Sequence, residues 1–163
     1  MELYFFDKQK GHKREDTDTM IRESLKDYVS GHSLPSYNGT IERTLLGKPY
    51  INYPLHIGAS HTDDTVIIGI DENNFGIDCE KCDRIVERYD SIMKKFFTDA
   101  ERKYVYESTD RQSAFLDIWV KKEAYVKFTG KGISGMPECD VTILSGFEKI
   151  NNDKNLIIYI YRE

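Results

Sequence analysis

A chain of 163 residues is long enough to bury a hydrophobic core, and this length predicts one compact domain. A composition of 39% hydrophobic and 31% charged residues is typical of a globular protein and excludes a largely disordered one. The net charge of −5 argues against a general nucleic-acid-binding protein, which would present a basic surface.

The sequence predicts a cytoplasmic protein that is not anchored in a membrane. No apolar run reaches membrane-spanning length, and the apolar part of the N-terminal segment MELYFFDKQK is too short for a signal peptide. The three cysteines are an odd number, which suggests reduced thiols. Cys79 and Cys82 have the spacing of a redox or zinc motif, but no second such pair supplies the four ligands that zinc prefers.

The N-terminal part of the chain predicts a strand, a helix and a loop. Met1–Phe6 is a short apolar run that favours a strand. Asp16–Val29 carries apolar side chains at helical spacing, with Gly31 as the expected stop. The segment that follows is rich in Ser, Pro, Asn and Gly and predicts a loop.

Two runs in the middle of the chain predict a β-hairpin, with carboxylates along its second strand. Thr65–Ile70 and Phe75–Cys79 flank an Asp-Glu-Asn-Asn turn. Strand alternation places Gly76, Asp78 and Glu80 on one face. The two carboxylates form either a site for Mg²⁺, which prefers oxygen ligands, or simply the polar face of an edge strand.

Helices and then strands are predicted for the second half. Asp83–Phe97 carries the clearest amphipathic pattern. Thr98 and Glu101 form a capping box, which accounts for Glu101 without a catalytic role. A further helix is expected from Asp110, its N-cap, to the stop at Gly130. Two strands follow, at Val141–Leu144 and Leu156–Tyr161.

The last of these helices carries one stripe that changes from aromatic to charged. Phe115, Trp119, Glu123 and Lys127 share a face at four-residue spacing. Such a stripe indicates a polar pocket at the end of a core, although Glu followed four residues later by Lys is also the order of an ordinary surface ion pair.

Three acids and two flanking lysines suggest metal-assisted transfer of a phosphate-linked group. The acids Asp78, Glu80 and Glu123 could hold Mg²⁺ against a pyrophosphate. A lysine, Lys122 or Lys127, would compensate charge on the leaving phosphate. A carboxylate would accept the proton of an attacking hydroxyl.

These blocks together resemble the signature of the 4′-phosphopantetheinyl transferases. The similar segments are Gly76–Glu80, Phe96–Glu101 and Trp119–Lys127, in the family's order and at its separations. The presence of Glu80, with Lys48-Pro49 and Ser60-His61 upstream, is similar to the surfactin-synthetase (Sfp) type rather than to the smaller trimeric enzymes. One departure is that Ile57-Gly58-Ala59 precedes the Ser-His pair, where the family often has an aromatic-Asn pair.

The resemblance implies a fold and an activity. The fold would be α+β, with two similar halves, about residues 1–72 and 73–163, and the active site between them. The enzyme would be of the holo-[acyl-carrier-protein] synthase type. It would transfer 4′-phosphopantetheine from coenzyme A to a serine of an apo acyl or peptidyl carrier protein, with Mg²⁺ as cofactor. The enzyme would act as a monomer. The product beside the holo-carrier would be adenosine 3′,5′-bisphosphate.

The resemblance also assigns site residues. Asp78, Glu80 and Glu123 match the Mg²⁺ ligands, with Asp78, Glu123 and Lys127 as the catalytic set and Glu123 as the base. The expected coenzyme A ligands are Lys48, Ser60, His61, Lys122, Lys127 and Lys131, and Lys13 and Arg14 are the nearest candidates for the 3′-phosphate.

Two alternatives to the transferase stay open on the sequence. One is a non-catalytic relative that binds coenzyme A or a carrier protein, because the N-terminal lobe and the C-terminal end look short. The other is an Mg²⁺-dependent hydrolase of pyrophosphates.

Overall fold

The computed structural model describes all 163 residues, and the chain divides into two compact units, Met1–Phe75 and Gly76–Glu163. Each unit contains a three-stranded antiparallel sheet and a long helix. None of the helices combines the length and the apolar character that crossing a membrane requires.

The first unit has one long helix and five strands. In chain order the elements are β1 (Glu2–Asp7), α1 (Arg14–Gly31), β2 (Glu42–Arg43), β3 (Pro49–Tyr50), β4 (His56–His61) and β5 (Thr65–Asp71). The main sheet has the order β1-β5-β4, and β2 and β3 form a separate two-stranded sheet.

The core of the first unit lies where α1 covers its sheet. Ile21, Leu25 and Tyr28 repeat at helical spacing and are buried together with Val66 and Ile68 of the central strand. This apolar face is the one that the sequence predicts, and the helix is confirmed. It extends two residues further than predicted at each end.

The second unit has three strands, three α-helices and one 3₁₀ helix. In chain order these are β6 (Gly76–Lys81), α2 (Tyr89–Phe96), α3 (Asp99–Glu107), α4 (Arg111–Thr129), the 3₁₀ helix (Ile133–Glu138), β7 (Phe147–Lys149) and β8 (Leu156–Tyr161). The sheet order is β6-β8-β7.

The two units share one sheet topology. In each, the first strand pairs with the last, and the last pairs with the strand before it, all antiparallel. A long helix lies between the first and the later strands in both sequences. The two units therefore have the same strand order, with a long helix at the same place in the sequence of elements.

The predicted hairpin between β5 and β6 is wrong. Ile68 of β5 already lies opposite Tyr4 of β1 on one side and Ala59 of β4 on the other. No edge of β5 is left for another strand, so β6 pairs with β8 instead, with Asp78 opposite Tyr159. A short turn between two apolar runs therefore joins two sheets here rather than two neighbouring strands.

The predicted helix Asp83–Phe97 forms only in its second half. The chain turns after β6 because the Cys82 N–H donates to the Asn155 carbonyl at 3.0 Å and the Arg84 N–H donates to the Lys81 carbonyl at 3.2 Å. Ile85, which the pattern placed in the core, is 80% exposed.

The predicted strand Val141–Leu144 is a turn. Asp140 Oδ1 accepts hydrogen bonds from the Thr142 N–H at 3.0 Å and from its hydroxyl at 2.6 Å. A side chain that bonds the backbone two residues on stabilises a turn in place of a ladder. The strand of this region is β7, while the predicted strand at Leu156–Tyr161 is confirmed as β8.

Gly76 allows α4 to pack closely on β6. A Cβ atom at this position would lie 1.9 Å from the Ala124 carbonyl oxygen and 2.5 Å from the Phe128 nitrogen. Only glycine leaves room for this approach. Because Asp78 lies two residues further on the same face, this contact sets its distance from α4.

We expect Gly76→Ala to lower the free energy of unfolding by about 2–3 kcal/mol, since its methyl group would force the helix off the strand. Urea denaturation followed by Trp119 fluorescence and circular dichroism measures the loss. The control is Gly31→Ala in α1, where a Cβ meets nothing within 4 Å. That change should be neutral or stabilise by up to about 1 kcal/mol. Equal effects of the two variants would contradict the close-packing argument.

Candidate active site

The helix that carries the predicted charged stripe is confirmed from cap to cap. The Asp110 carboxylate accepts a hydrogen bond from the Ser113 N–H at 3.0 Å, and Gly130 ends the helix with φ 71°. Between these ends Phe115 is buried and stacks on Phe97 and Trp119, with ring centroids 5.3 and 6.0 Å apart. The core therefore fixes the orientation of the charged half of the stripe.

Asp78 and Lys127 join β6 to the end of this stripe. Lys127 Nζ donates to Asp78 Oδ1 at 2.7 Å. The Asp78 side chain is 11% exposed and that of Lys127 is 32% exposed, so the pair lies partly out of water. A charge-assisted hydrogen bond of this length in a half-buried place orients both groups.

Glu123 is the third charged group at this place, and its pKa is raised. Burial, followed by the nearby Asp78 carboxylate, raises the pKa of Glu123 from 4.5 to about 7, and Lys127 opposes this rise. The pKa of Lys127 is lowered by burial, but the Asp78 and Glu123 carboxylates outweigh that and raise it overall. Two carboxylates and one ammonium thus interact at one place, and a carboxyl that titrates near neutrality is typical of functional sites.

The raised pKa of Glu123 predicts how stability depends on pH. Between pH 4.5 and about 7 the folded protein keeps a proton on Glu123 that the unfolded chain releases, so the contribution of Glu123 to stability falls as pH rises through this window and does not change above it. Relative to Glu123→Gln, the wild type should lose up to about 3 kcal/mol across the window. Urea denaturation at half-unit pH steps measures this, and parallel curves for the two proteins would contradict the raised pKa.

Glu80 is near this group in sequence but is engaged elsewhere. Its carboxylate forms an ion pair with Arg84 and also accepts from the Lys81 N–H at 3.0 Å. No three His, Cys, Asp or Glu side chains come close enough together to hold a metal ion. In this structure Asp78 and Glu123 are neighbours while Glu80 is paired with Arg84, and the three-acid ligand set stays a prediction.

The donors that are present suit a hard divalent cation. Mg²⁺ takes one or two carboxylates from a protein and keeps water or phosphate oxygens in its other positions. Asp78 is buried and Glu123 is partly buried beside it, and a cation between them would offset burial and mutual repulsion, the two effects that raise the pKa of Glu123. Glu80 lies on the same face of β6, where it pairs with Arg84.

Comparison with known proteins decides the family. Residues 74–157, just over half of the chain, match the model of the 4′-phosphopantetheinyl transferase superfamily. The chain belongs to this superfamily. The resemblance in the sequence blocks is thereby confirmed.

Curated relatives of the Sfp type are similar over most of this chain. It is 32% identical to the 4′-phosphopantetheinyl transferase gsp of Aneurinibacillus migulanus over 71% of the chain and 47% of that protein. It is 34% identical to psf-1 of Bacillus pumilus over 63% of the chain and 45% of that protein. It is 28% identical to Sfp of Bacillus subtilis over 80% of the chain and 57% of that protein. The chain spans about half the length of the curated relatives it matches.

One predicted coenzyme A ligand of this superfamily member, Lys122, is not accessible. Its side chain is fully buried, and Nζ lies 2.8 Å from Glu101 Oε2 and 2.8 Å from the Met136 carbonyl, and also donates to the Cys139 carbonyl. The prediction for Lys122 is wrong because these three acceptors use all three ammonium protons. Lys122 is buried because neighbouring residues of a helix point in different directions, so that its side chain lies about a quarter-turn from Glu123 and enters the core.

Glu101 has the predicted capping role and a second one. Its carboxylate accepts from the Thr98 N–H at 2.8 Å, and the Thr98 hydroxyl accepts from the Glu101 N–H at 3.2 Å. The other carboxylate oxygen accepts from the Val141 N–H at 2.9 Å. Because Glu101 also pairs with Lys122, this family block holds the core of the second unit together.

Lys131, the remaining lysine of the second unit in the predicted ligand set, is on the surface. Its side chain is 54% exposed, and Nζ lies 3.1 Å from Glu138 Oε2. Such an exposed pair is weak, so the ammonium can reach an anionic ligand at little cost.

The predicted ligands of the first unit lie on β4 and before β3. Ser60 is buried and His61 is exposed, as expected for neighbours in an extended strand. Lys48 Nζ donates to Asn74 Oδ1 at 3.1 Å, and burial lowers the pKa of Lys48.

Two basic residues near the predicted ligands were missed from the sequence. Lys8 Nζ lies 3.2 Å from His61 Nδ1, and Arg84 holds Glu80. The basic run from Lys8 to Arg14 was a signal for the first, and the four-residue spacing between Glu80 and Arg84 was a signal for the second.

Proposed function

We propose that this chain is a 4′-phosphopantetheinyl transferase that acts with Mg²⁺ in the cytoplasm as a monomer. It moves the phosphopantetheine group from coenzyme A to a serine hydroxyl of an apo acyl or peptidyl carrier protein. The fold of two similar α+β halves is part of the proposal, and the topology shared by the two units supports it.

The observation that carries the proposal is the meeting of Asp78, Glu123 and Lys127 at one end of the α4 core. Bound there, Mg²⁺ would neutralise and align the pyrophosphate of coenzyme A. Asp78 and Glu123 would hold it, with Glu80 as a third ligand. The family supplies the substrate class, and the Glu123 carboxylate beside Asp78 and Lys127 supplies the base.

Glu123, directly or through a water molecule, accepts the proton of the serine hydroxyl. A carboxylate placed beside the attacking hydroxyl can act as the general base of this step. The serine oxygen forms a bond to the phosphorus next to pantetheine, and the bond from this phosphorus to the bridging oxygen breaks. Adenosine 3′,5′-bisphosphate leaves with that oxygen, and the Lys127 ammonium compensates its charge.

Coenzyme A would be bound by lysines and by groups of the β4 strand. We assign this role to Lys48, Ser60 and His61 of the first unit and to Lys127 and Lys131 of the second. Lys122 is left out, because it is buried. Each remaining side chain can donate to a phosphate oxygen.

The proposal is tested by mass spectrometry of an apo carrier protein incubated with this protein, coenzyme A and Mg²⁺. We expect the carrier to gain the mass of one phosphopantetheine, and to gain none when EDTA replaces Mg²⁺. Binding of coenzyme A without any transfer to a panel of carriers would indicate a non-catalytic relative. Release of 4′-phosphopantetheine in the absence of a carrier would indicate a hydrolase. Either outcome would overturn the proposal.

A further inference from the structure

The third carboxylate on the metal-binding face is held by a cation of the protein itself. Strand alternation places Glu80 on the same side of β6 as Asp78, towards α4. Its carboxylate nevertheless pairs with Arg84. The Glu80 side chain is only 14% exposed, whereas that of Arg84 is 51% exposed.

The backbone of Arg84 is anchored, while its side chain is half exposed to water. The Arg84 N–H donates to the Lys81 carbonyl at 3.2 Å, and its own carbonyl accepts from Gln112 Nε2 at 3.1 Å. These bonds anchor the turn after β6 on both sides. If the guanidinium left Glu80, water would solvate it, because this end of the side chain already lies at the surface.

The balance between these positions depends on what else Glu80 can bind. A half-exposed ion pair contributes about 0.2–1 kcal/mol, because water and salt screen it. A divalent cation offers twice the charge and direct oxygen coordination, so it can displace the guanidinium. Asp78 is paired in the same way with Lys127, so each strand carboxylate carries a cation before any metal binds.

We propose that Arg84 is a positioning residue that competes with the divalent cation for Glu80. In the metal-free protein it neutralises the carboxylate, and it moves into solvent when the cation binds. Arg84 thereby weakens the metal affinity and keeps the third ligand in place between turnovers. This inference rests on the proposed function, because it takes the Asp78–Glu123 site to be the metal site.

The effect of removing Arg84 is a gain in metal affinity. Arg84→Gln removes the competing pair and one positive charge beside the cation. Together these should tighten the dissociation constant for Mn²⁺, used as the probe, by about 3- to 10-fold. If Glu80 is absent, Arg84 has no carboxylate to compete for and only its charge effect remains, so Arg84→Gln in a Glu80→Gln background should tighten the affinity by less than 2-fold.

The experiment measures free Mn²⁺ by electron paramagnetic resonance during titration of the full chain. It compares wild type, Arg84→Gln, Glu80→Gln, the double variant and Arg88→Gln. The last is the matched control, since Arg88 is an exposed arginine of the same segment. Its change should leave the affinity within 2-fold, and retained folding is checked by circular dichroism.

Equal affinities of wild type and Arg84→Gln, or an equal gain from Arg88→Gln, would overturn the competition. Absence of Mn²⁺ binding in every variant would overturn it together with the metal assignment. The proposed function has its own readout in the carrier mass. A protein that modifies the carrier but shows no effect of Arg84 refutes the inference alone.

Discussion

Glu123→Gln is expected to slow modification of a carrier protein by about 100- to 10,000-fold, the range that a positioned general base contributes. The same change should leave the protein folded and, at pH 7, at least as stable as the wild type. The neutral amide costs less to bury and does not repel Asp78, the two effects that raise the pKa of Glu123. Carrier mass over time and urea denaturation measure the two outcomes.

Slower carrier modification together with retained stability distinguishes a functional carboxylate from one that is only structural. Glu107→Gln on α3 is the control, because this Glu is 67% exposed and makes only a long ion pair of 3.8 Å with Lys103. It should change neither quantity appreciably. A Glu123→Gln protein that transfers at the wild-type rate would show that the base and ligand roles are wrongly assigned.

Lys122→Met is expected to lower the free energy of unfolding by about 3–5 kcal/mol, since it leaves the fully buried Glu101 carboxylate without its cation. It also removes the donor for the Met136 and Cys139 carbonyls. At about 2–4 °C per kcal/mol for a chain of this size, the melting temperature should fall by at least 6 °C. Thermal and urea unfolding measure the change.

A second lysine-to-methionine variant separates the effect of losing a buried ion pair from the effect of losing a positive charge. Lys103→Met removes a lysine that is 72% exposed on α3, and should shift stability by no more than about 0.5 kcal/mol. Adding Glu101→Gln to Lys122→Met should recover part of the loss, because no buried charge is then left unpaired. Similar effects of Lys122→Met and Lys103→Met would contradict a structural role for Lys122.

Local signals in the sequence predicted the elements that carry the site. Asp110 and Gly130 marked the ends of α4, because capping and left-handed termination depend on the residue types at those positions. The change from Trp119 to Glu123 along one helix face correctly indicated charged groups next to a core. The capping box of Thr98 and Glu101 could be predicted for the same reason, because it depends only on two residues three positions apart.

Features that depend on distant parts of the chain could not be predicted in this way. Whether β5 pairs with β6 is decided by β1 and β8, which lie far away in sequence. The burial of Lys122 depends on carbonyls supplied 14 and 17 residues later. An isolated charge pattern does not show which lysine has internal partners and which faces a ligand.

The most direct test of the site is a crystal structure with Mg²⁺ and coenzyme A bound. We expect one ion about 2.0–2.1 Å from an oxygen of Asp78 and from an oxygen of Glu123, with pyrophosphate oxygens completing its shell. Lys127 should then contact the phosphates, and Arg84 should have left Glu80. Coenzyme A bound away from these carboxylates, with Lys127 still on Asp78 and no ion between the acids, would contradict the account.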